Sequence, residues 1–314
     1  MNILITGAAG YIGSALTKEL AKTGDTIYTL DVKQPLKEYA AGTHHIMQDM
    51  TNLEALQEKL KPINVDVAIH LAALVSGNPS DVLRINVDGT ANLLETLRLK
   101  KPKLVVIAST AAQLYRNAQY VPIDEKHPIT PVTTYGLSKH LTEEVARFYY
   151  RVYALPTLIF RQTNVFGPAP VPKDTVINKF VEDALSKGRV TIYGDGKQMR
   201  NFIYIDDLVE CYLKAIHHKK QETLAGEALN IAGPEEHQIQ ELAQIVAKIV
   251  GDKIEKQVTV EYAPPSIPPA HEVYIFQISV EKARKLLQYR PETTIAKGVE
   301  KLLKHMPETN PTRG

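Results

Sequence analysis

Short apolar runs alternate with amphipathic stretches through the first half of the chain. NILITG, TIYTLD, VDVAIHLAA and KLVVIAST are apolar at successive positions, so side chains on both faces of each run seek burial, as in strands covered by helices on each side. Between them, YIGSALTKELAKTG, NLEALQEKLK and DVLRINVDGTANLLETLRLKK place apolar residues at helical spacing. HHIMQDM adds a further strand. The alternation predicts an α/β fold with a Rossmann-type doubly wound parallel sheet.

After the strand PTLIFRQTNVF, the prolines of FGPAPVPKD break the regular pattern. The second half of the chain predicts a smaller mixed α/β lobe, suited to a substrate: helices in VINKFVEDALSKG, DDLVECYLKAI, IQELAQIVAKIVG and SVEKARKLLQY, and a strand VTIYG that turns at GDGK into a return strand NFIYI. The expected division is 1–165 for the domain of the parallel sheet, including the helix of Tyr135, 166–305 for a lobe interwoven with the sheet, and 306–314 for a loose tail. The helix after Tyr135 carries Leu141, Val145, Phe148, Tyr149 and Val152 on one stripe, which reads as core or subunit interface.

Composition narrows the function classes. The 314 residues hold 37 Lys and Arg against 35 Asp and Glu, a formal net charge of +2 with no long run of one sign. Nothing there calls for nucleic acid or an anionic membrane. No apolar stretch is long enough to span a bilayer, and the N-terminus lacks a signal-peptide pattern, so a cytoplasmic location is expected. Cys211 is the single cysteine, which excludes an internal disulfide and suits a reducing compartment. It reads as a small buried helix residue. The histidines form no metal spacing, and His217 and His218 beside Lys219 and Lys220 read as a solvated helix end.

The stretch ITGAAGYIGSAL follows the first strand and opens a helix, with Gly7, Gly10 and Gly13 three apart. Small residues at such a junction let the backbone turn sharply and approach a pyrophosphate, which helix N-terminal amides then attract. Asp31 ends the second strand, where a carboxylate accepts from an adenosine ribose and repels a 2′-phosphate. NAD is therefore expected over NADP, with Lys33 nearby as a cation able to accommodate that phosphate. Asp49 in MQDM is a candidate for the adenine amine or, more blandly, a helix cap.

YGLSK sets Tyr135 one helical turn from Lys139. Four residues along a helix bring both side chains to one face, where an ammonium favours phenol ionisation. With ITGAAGYIG, Asp31, HLAA at 70–73, INVDGT at 85–90 and YGLSK in order, the chain resembles the extended short-chain dehydrogenase/reductase family. RQTNVFGP, VTIYGDGKQMRNFIYIDD and LNIAGPEEHQIQELAQIV are similar to the substrate half of its nucleotide-sugar epimerases and dehydratases.

The resemblance implies that Tyr135 is the general base or acid and that Lys139 holds the nicotinamide ribose and lowers the phenol pKa. It implies backbone contacts from Tyr11 and Ile12 to the pyrophosphate, and a cofactor lining of Asp49, Met50, Leu71, Ala72, Ala73 and Asn86. A catalytic hydroxyl is expected after the fifth strand. Counting from the strand selects Thr110, which with Tyr135 would touch substrate; Ser109 is the fallback. Asn164 and Arg200 match positions that contact the substrate's diphosphate or nucleotide. APPSIPPAHEVY lacks the arginine that relatives often carry and reads His271, Glu272, Val273, which leaves open a differently charged sugar or a substrate that is no sugar nucleotide at all.

Ala111 and Ala112 follow Thr110 where dehydratases place acids, so dehydration is disfavoured. The expected function is an NAD-dependent nucleotide-sugar epimerase acting at C4 through a transient keto sugar, of the UDP-glucose/UDP-galactose kind. A sugar dehydrogenase is the alternative, and a non-catalytic dinucleotide sensor a third reading. A homodimer packed through the helices following Asp88 and Tyr135 is implied by the same resemblance, with no metal and no nucleic acid.

Overall fold

The computed structural model describes residues 1–36, 41–116, 118–171, 175–265 and 273–306. The expected tail at 306–314 lies, beyond Met306, outside them, as do His271 and Glu272. In chain order the strands are β1 (Asn2–Thr6), β2 (Thr26–Asp31), β3 (Thr43–Met47), β4 (Val67–His70), β5 (Leu104–Thr110), β6 (Thr157–Gln162), β7 (Asn164–Phe166), β8 (Arg189–Tyr193), β9 (Met199–Tyr204), β10 (Ala228–Ile231), β11 (Glu236–Gln238) and β12 (Thr259–Ala263). The helices are α1 (Tyr11–Leu20), α2 (Leu53–Leu60), α3 (Pro79–Leu83), α4 (Gly89–Arg98), α5 (Ala111–Leu114), α6 (Thr134–Tyr153), α7 (Val176–Lys187), α8 (Ile205–Ile216), α9 (Ile239–Ile254), α10 (Glu281–Leu287) and α11 (Ile295–His305).

Among the described residues the central sheet has seven parallel strands in the order β10-β6-β5-β4-β1-β2-β3. The apolar runs explain it. Strand alternation sends Ile3, Ile5, Val67, Ile69 and Val106 into one core, with Leu16 of α1 and Leu208 of α8. It sends Leu4, Ala68, Val105 and Ile107 into the other, with Leu56 of α2, Leu93 of α4 and Ala146 of α6. Each such side chain contributes roughly 1.5–3 kcal/mol when fully buried. All seven residues of β5 are buried, which is why that run carries no polar alternation.

β1 lies between β2 and β4, so the chain order reverses there. A crevice opens at the carboxyl ends of strands at such a point.

The second half departs from expectation at one place. VTIYG and NFIYI were expected to form a hairpin across GDGK, but β8 pairs in parallel with β12. β9 instead pairs in parallel with β7 and antiparallel with β11. The turn redirects the chain rather than reversing it. β10 then returns to the central sheet beside β6, so the lobe and the sheet share strands. The α6 stripe also divides: Val145 and Tyr149 pack on the core, whereas Leu141 at 37%, Phe148 at 45% and Val152 at 56% face outward.

Candidate active site

Gly7 follows β1 at φ +69°, a left-handed conformation that favours glycine. A Cβ there would meet the Ala72 amide at 2.5 Å, so this loop and the segment after β4 are pressed backbone to backbone. Gly13 is equally constrained, since its Cβ would lie 2.2 Å from Gly7 O. Gly10 caps α1 without any side-chain acceptor, and the first turn carries no acid. That arrangement suits an anion, and a pyrophosphate fits it.

Asp31 sits beside this turn, where Oδ2 accepts from the Ala9 amide at 3.0 Å and Oδ1 from the Lys33 amide at 3.1 Å. Each oxygen keeps a lone pair for a ribose. Asp49 is exposed, and its Oδ1 accepts from Thr51 N at 2.8 Å and Thr51 Oγ1 at 2.9 Å, a local turn. The cap of α2 is Asn52, not Asp49. The side chain of Met50 is buried and packs in the core. The Tyr11 phenol donates to Gly167 O at 2.8 Å, tying α1 to the segment after β7 and leaving its backbone at the turn for the expected contact.

Leu71, Ala72 and Ala73 follow β4 at the crevice, half-buried. His70 behind them bridges Thr6 Oγ1 at 2.7 Å and Thr90 Oγ1 at 2.9 Å. Burial and the charge of Lys139 push that imidazole down to about 3, which keeps it neutral. Asn86 lies in a single π-helical turn, Arg84–Asp88, between α3 and α4. It accepts from Leu74 N at 2.7 Å and donates to Leu74 O at 2.9 Å and Ser138 Oγ at 2.8 Å. Asn86 thus braces the wall of the crevice against α6 instead of leaving its amide open.

α6 is started by Thr133, whose hydroxyl accepts from the Gly136 amide at 3.0 Å. Gly136 abuts α5, for a Cβ there would lie 2.8 Å from Gln113 O. This contact explains the glycine beside Tyr135 and brings the start of α6 against the end of β5. Lys139 is 3% exposed and donates from Nζ to Ala108 O at 2.7 Å. Burial lowers it to about 8, opposed by Glu143. Burial pushes the Tyr135 phenol up to about 12. Burial, which disfavours the phenolate, is set against the depression expected from Lys139, whose ammonium is held by the Ala108 carbonyl.

The two hydroxyl candidates separate. Ser109 is 1% exposed and donates to Glu143 Oε1 at 2.6 Å. Thr110 ends β5 and starts α5, and among the described residues its hydroxyl has no hydrogen-bond partner. Asn164 opens β7, with Nδ2 donating to Asn201 O at 3.4 Å. Arg200 is on β9, half-buried, with Nη1 held by Met199 O at 2.9 Å and Val273 O at 3.1 Å. A cavity of about 980 Å3 lies between α1, α8 and residues 168–171, touching the glycine loop at Ala9 but none of Thr110, Tyr135 and Lys139.

Sequence reasoning passed over Glu143 and Arg161. Glu143 stands one further turn along the Tyr135, Lys139 face, a spacing that marks it. His217 is exposed at the end of α8, as expected, and also meets Asp25 Oδ2 at 2.8 Å. Cys211 is fully buried, and burial raises its thiol well above the ordinary range. Among the described residues no helix is long and apolar enough to cross a membrane, and no group of three metal-ligating side chains forms.

A glycine turn at the reversal point of a parallel sheet, with a Tyr/Lys pair over the adjoining strand, defines a dinucleotide-dependent short-chain dehydrogenase/reductase site. Residues 3–232 match the NAD dependent epimerase/dehydratase family, and the chain belongs to it. It is 32% identical to a putative UDP-glucose 4-epimerase of Methanocaldococcus jannaschii over 99% of this chain and 100% of that one. Among solved structures, an epimerase of Methanothermobacter thermautotrophicus superposes with a TM-score of 0.85 at 29% identity, covering 96% of this chain and 91% of that chain. The UDP-glucuronic acid 4-epimerase of Bacillus cereus, in complex with UDP-glucuronic acid and NAD, gives 0.83 at 28% identity, covering 97% and 98%.

Proposed function

We propose that this protein is an NAD-dependent 4-epimerase of nucleotide sugars, of the UDP-glucose/UDP-galactose kind, working through a transient keto sugar. Tyr135 removes the proton from the sugar hydroxyl and later returns it. Thr110, with its hydroxyl uncommitted, steadies the same oxygen, and Lys139 presents its charge on the ribose side. NAD, when bound, supplies a reversible acceptor for the hydrogen on the sugar's C4. Gly7, Gly10, Ile12 and Gly13 would hold its pyrophosphate and Asp31 its adenosine ribose. A cationic nicotinamide beside Tyr135 would oppose the burial that holds the phenol high. Asn164 and Arg200 would bind the diphosphate side of the substrate, the forked guanidinium matching phosphate oxygens. If the keto sugar turns over before its hydrogen is returned, the configuration at C4 inverts.

The observation that carries epimerisation over dehydration is the composition of α5. The four residues after Thr110 are Ala111, Ala112, Gln113 and Leu114, with no acid or base to expel water. Several relatives are named 4-epimerases, with dehydratases and decarboxylases of nucleotide sugars beside them. Incubating the NAD-loaded protein with UDP-, GDP- and dTDP-sugars and separating the products tests it. Interconversion of C4 epimers without net NADH is expected; stoichiometric NADH release from a single sugar would replace the epimerase with a dehydrogenase.

The outward residues Leu141, Phe148 and Val152 of α6, and Leu99 just after α4 at 61% exposure, support a homodimer through these helices. A reducing, cytoplasmic setting suits the single buried Cys211.

A further inference from the structure

We propose that Glu143 is a positioning residue for the active site, gripping Ser109 and Arg161 so that Thr110 is fixed against α6, and placing a negative charge toward Lys139. The inference rests on the roles proposed above for Thr110, Tyr135 and Lys139. Tyr135, Lys139 and Glu143 follow at intervals of one turn, so they share a face of α6. That face is joined to the end of β5 twice, through Lys139 Nζ to Ala108 O at 2.7 Å and through Ser109 Oγ to Glu143 Oε1 at 2.6 Å. The next residue of the strand is Thr110.

Ser109 is the register partner of Arg161 on β6, so both side chains leave the same face of the sheet. Arg161 Nε donates to Glu143 Oε1 at 3.0 Å and Oε2 at 3.1 Å, and Nη2 donates to Oε2 at 2.6 Å. Arg147 Nη2 adds a bond to Oε2 at 3.0 Å. Arg161 Nη1 meanwhile reaches the Tyr115 phenol, which donates to Asn230 Oδ1 at 3.1 Å. Glu143 is 0% and Arg161 2% exposed. A buried ion pair of this kind is weak evidence for stability, since an apolar pair packs as well at lower desolvation cost. Its place one turn from Lys139 supplies a reason for keeping it.

Lys139 is faced by Glu143 and Tyr135 on its own helix and by His70 at the end of β4; Ser109 and Arg161 act on it through Glu143. Burial lowers Lys139 and the Glu143 carboxylate opposes that. Removing the carboxylate therefore lowers Lys139 further, and whatever depends on its charge fails at a lower pH.

The test uses the full chain with NAD. Ser109→Ala removes one grip and leaves the ion pair; kcat is expected to fall about tenfold with KM unchanged, as for a displaced reacting group. Glu143→Gln with Arg161→Met removes both charges so that the fold survives. Its melting temperature should stay near wild type while the alkaline limb of the pH–rate profile moves to lower pH, because the carboxylate and not the guanidinium acts on Lys139. Calorimetric NAD titrations from neutral to alkaline pH follow the same charge without substrate and should show the same displacement. A wild-type kcat in Ser109→Ala, or a folded double variant with the wild-type limb, overturns the proposal; if the double variant does not fold, Ser109→Ala decides. Failure of the wild type to epimerise any nucleotide sugar rejects the functional reading instead, and the calorimetric comparison still tests Glu143.

Discussion

Gly13→Ala sets two effects of opposite sign against each other. Gly13 lies in α1, where replacing glycine by alanine contributes about 1 kcal/mol of helix propensity. Its new methyl would, however, stand 2.2 Å from Gly7 O, 2.7 Å from Ala8 Cα and 2.9 Å from Gly7 C. All three are backbone atoms, so no side chain can swing aside. Overpacking costs ~1–3 kcal/mol, and contacts this short belong at the upper end, leaving a net loss of ~2 kcal/mol. The displaced atoms belong to the turn proposed to hold the pyrophosphate, so NAD affinity should fall by at least about tenfold. Urea denaturation and calorimetric NAD titration read the two quantities. Gly24→Ala is the control: its φ is +79° but nothing lies within 4 Å, so it should lose ~1–2 kcal/mol and bind NAD normally. A Gly13→Ala protein that is more stable than wild type and binds NAD equally well would refute the reasoning.

Tyr135→Phe should keep NAD binding and reduce kcat by ~10²–10⁴, read in the epimer-interconversion assay. Asp31→Ala removes the acceptor of the Ala9 amide; it should weaken NAD and narrow the preference over NADP, seen by titrating both cofactors. Burial tends to raise the Asp25 carboxyl, but the Met1 ammonium, His217 and Thr23 outweigh it and hold the group at about 2. A folded value below the ordinary ~3.9 means its stabilisation is present above that pH and is lost as pH falls toward about 2. Asp25→Asn should flatten acid unfolding curves in that window, modestly for a site near the surface. Phe148→Glu should shift a dimer to monomer in sedimentation without lowering the melting temperature; an unchanged mass would remove these helices as the interface.

Local sequence was enough wherever a residue's environment follows from its own neighbours. LVVIA is apolar on both faces and became a fully buried strand. Gly7, Gly10 and Gly13 after NILIT marked a tight, closely packed turn by their lack of Cβ, and Tyr135 and Lys139 shared a face by helical period alone. Partners distant along the chain had no such signal. That β8 would pair with β12 rather than β9, that β10 would return beside β6, and that Ser109 would be claimed by Glu143 while Thr110 stayed open depend on surfaces created only when strands and helices pack. The same holds for the ionisation of Tyr135. Its spacing from Lys139 is written in the chain, but the burial that pushes the phenol up belongs to the interior into which the folded protein draws them both.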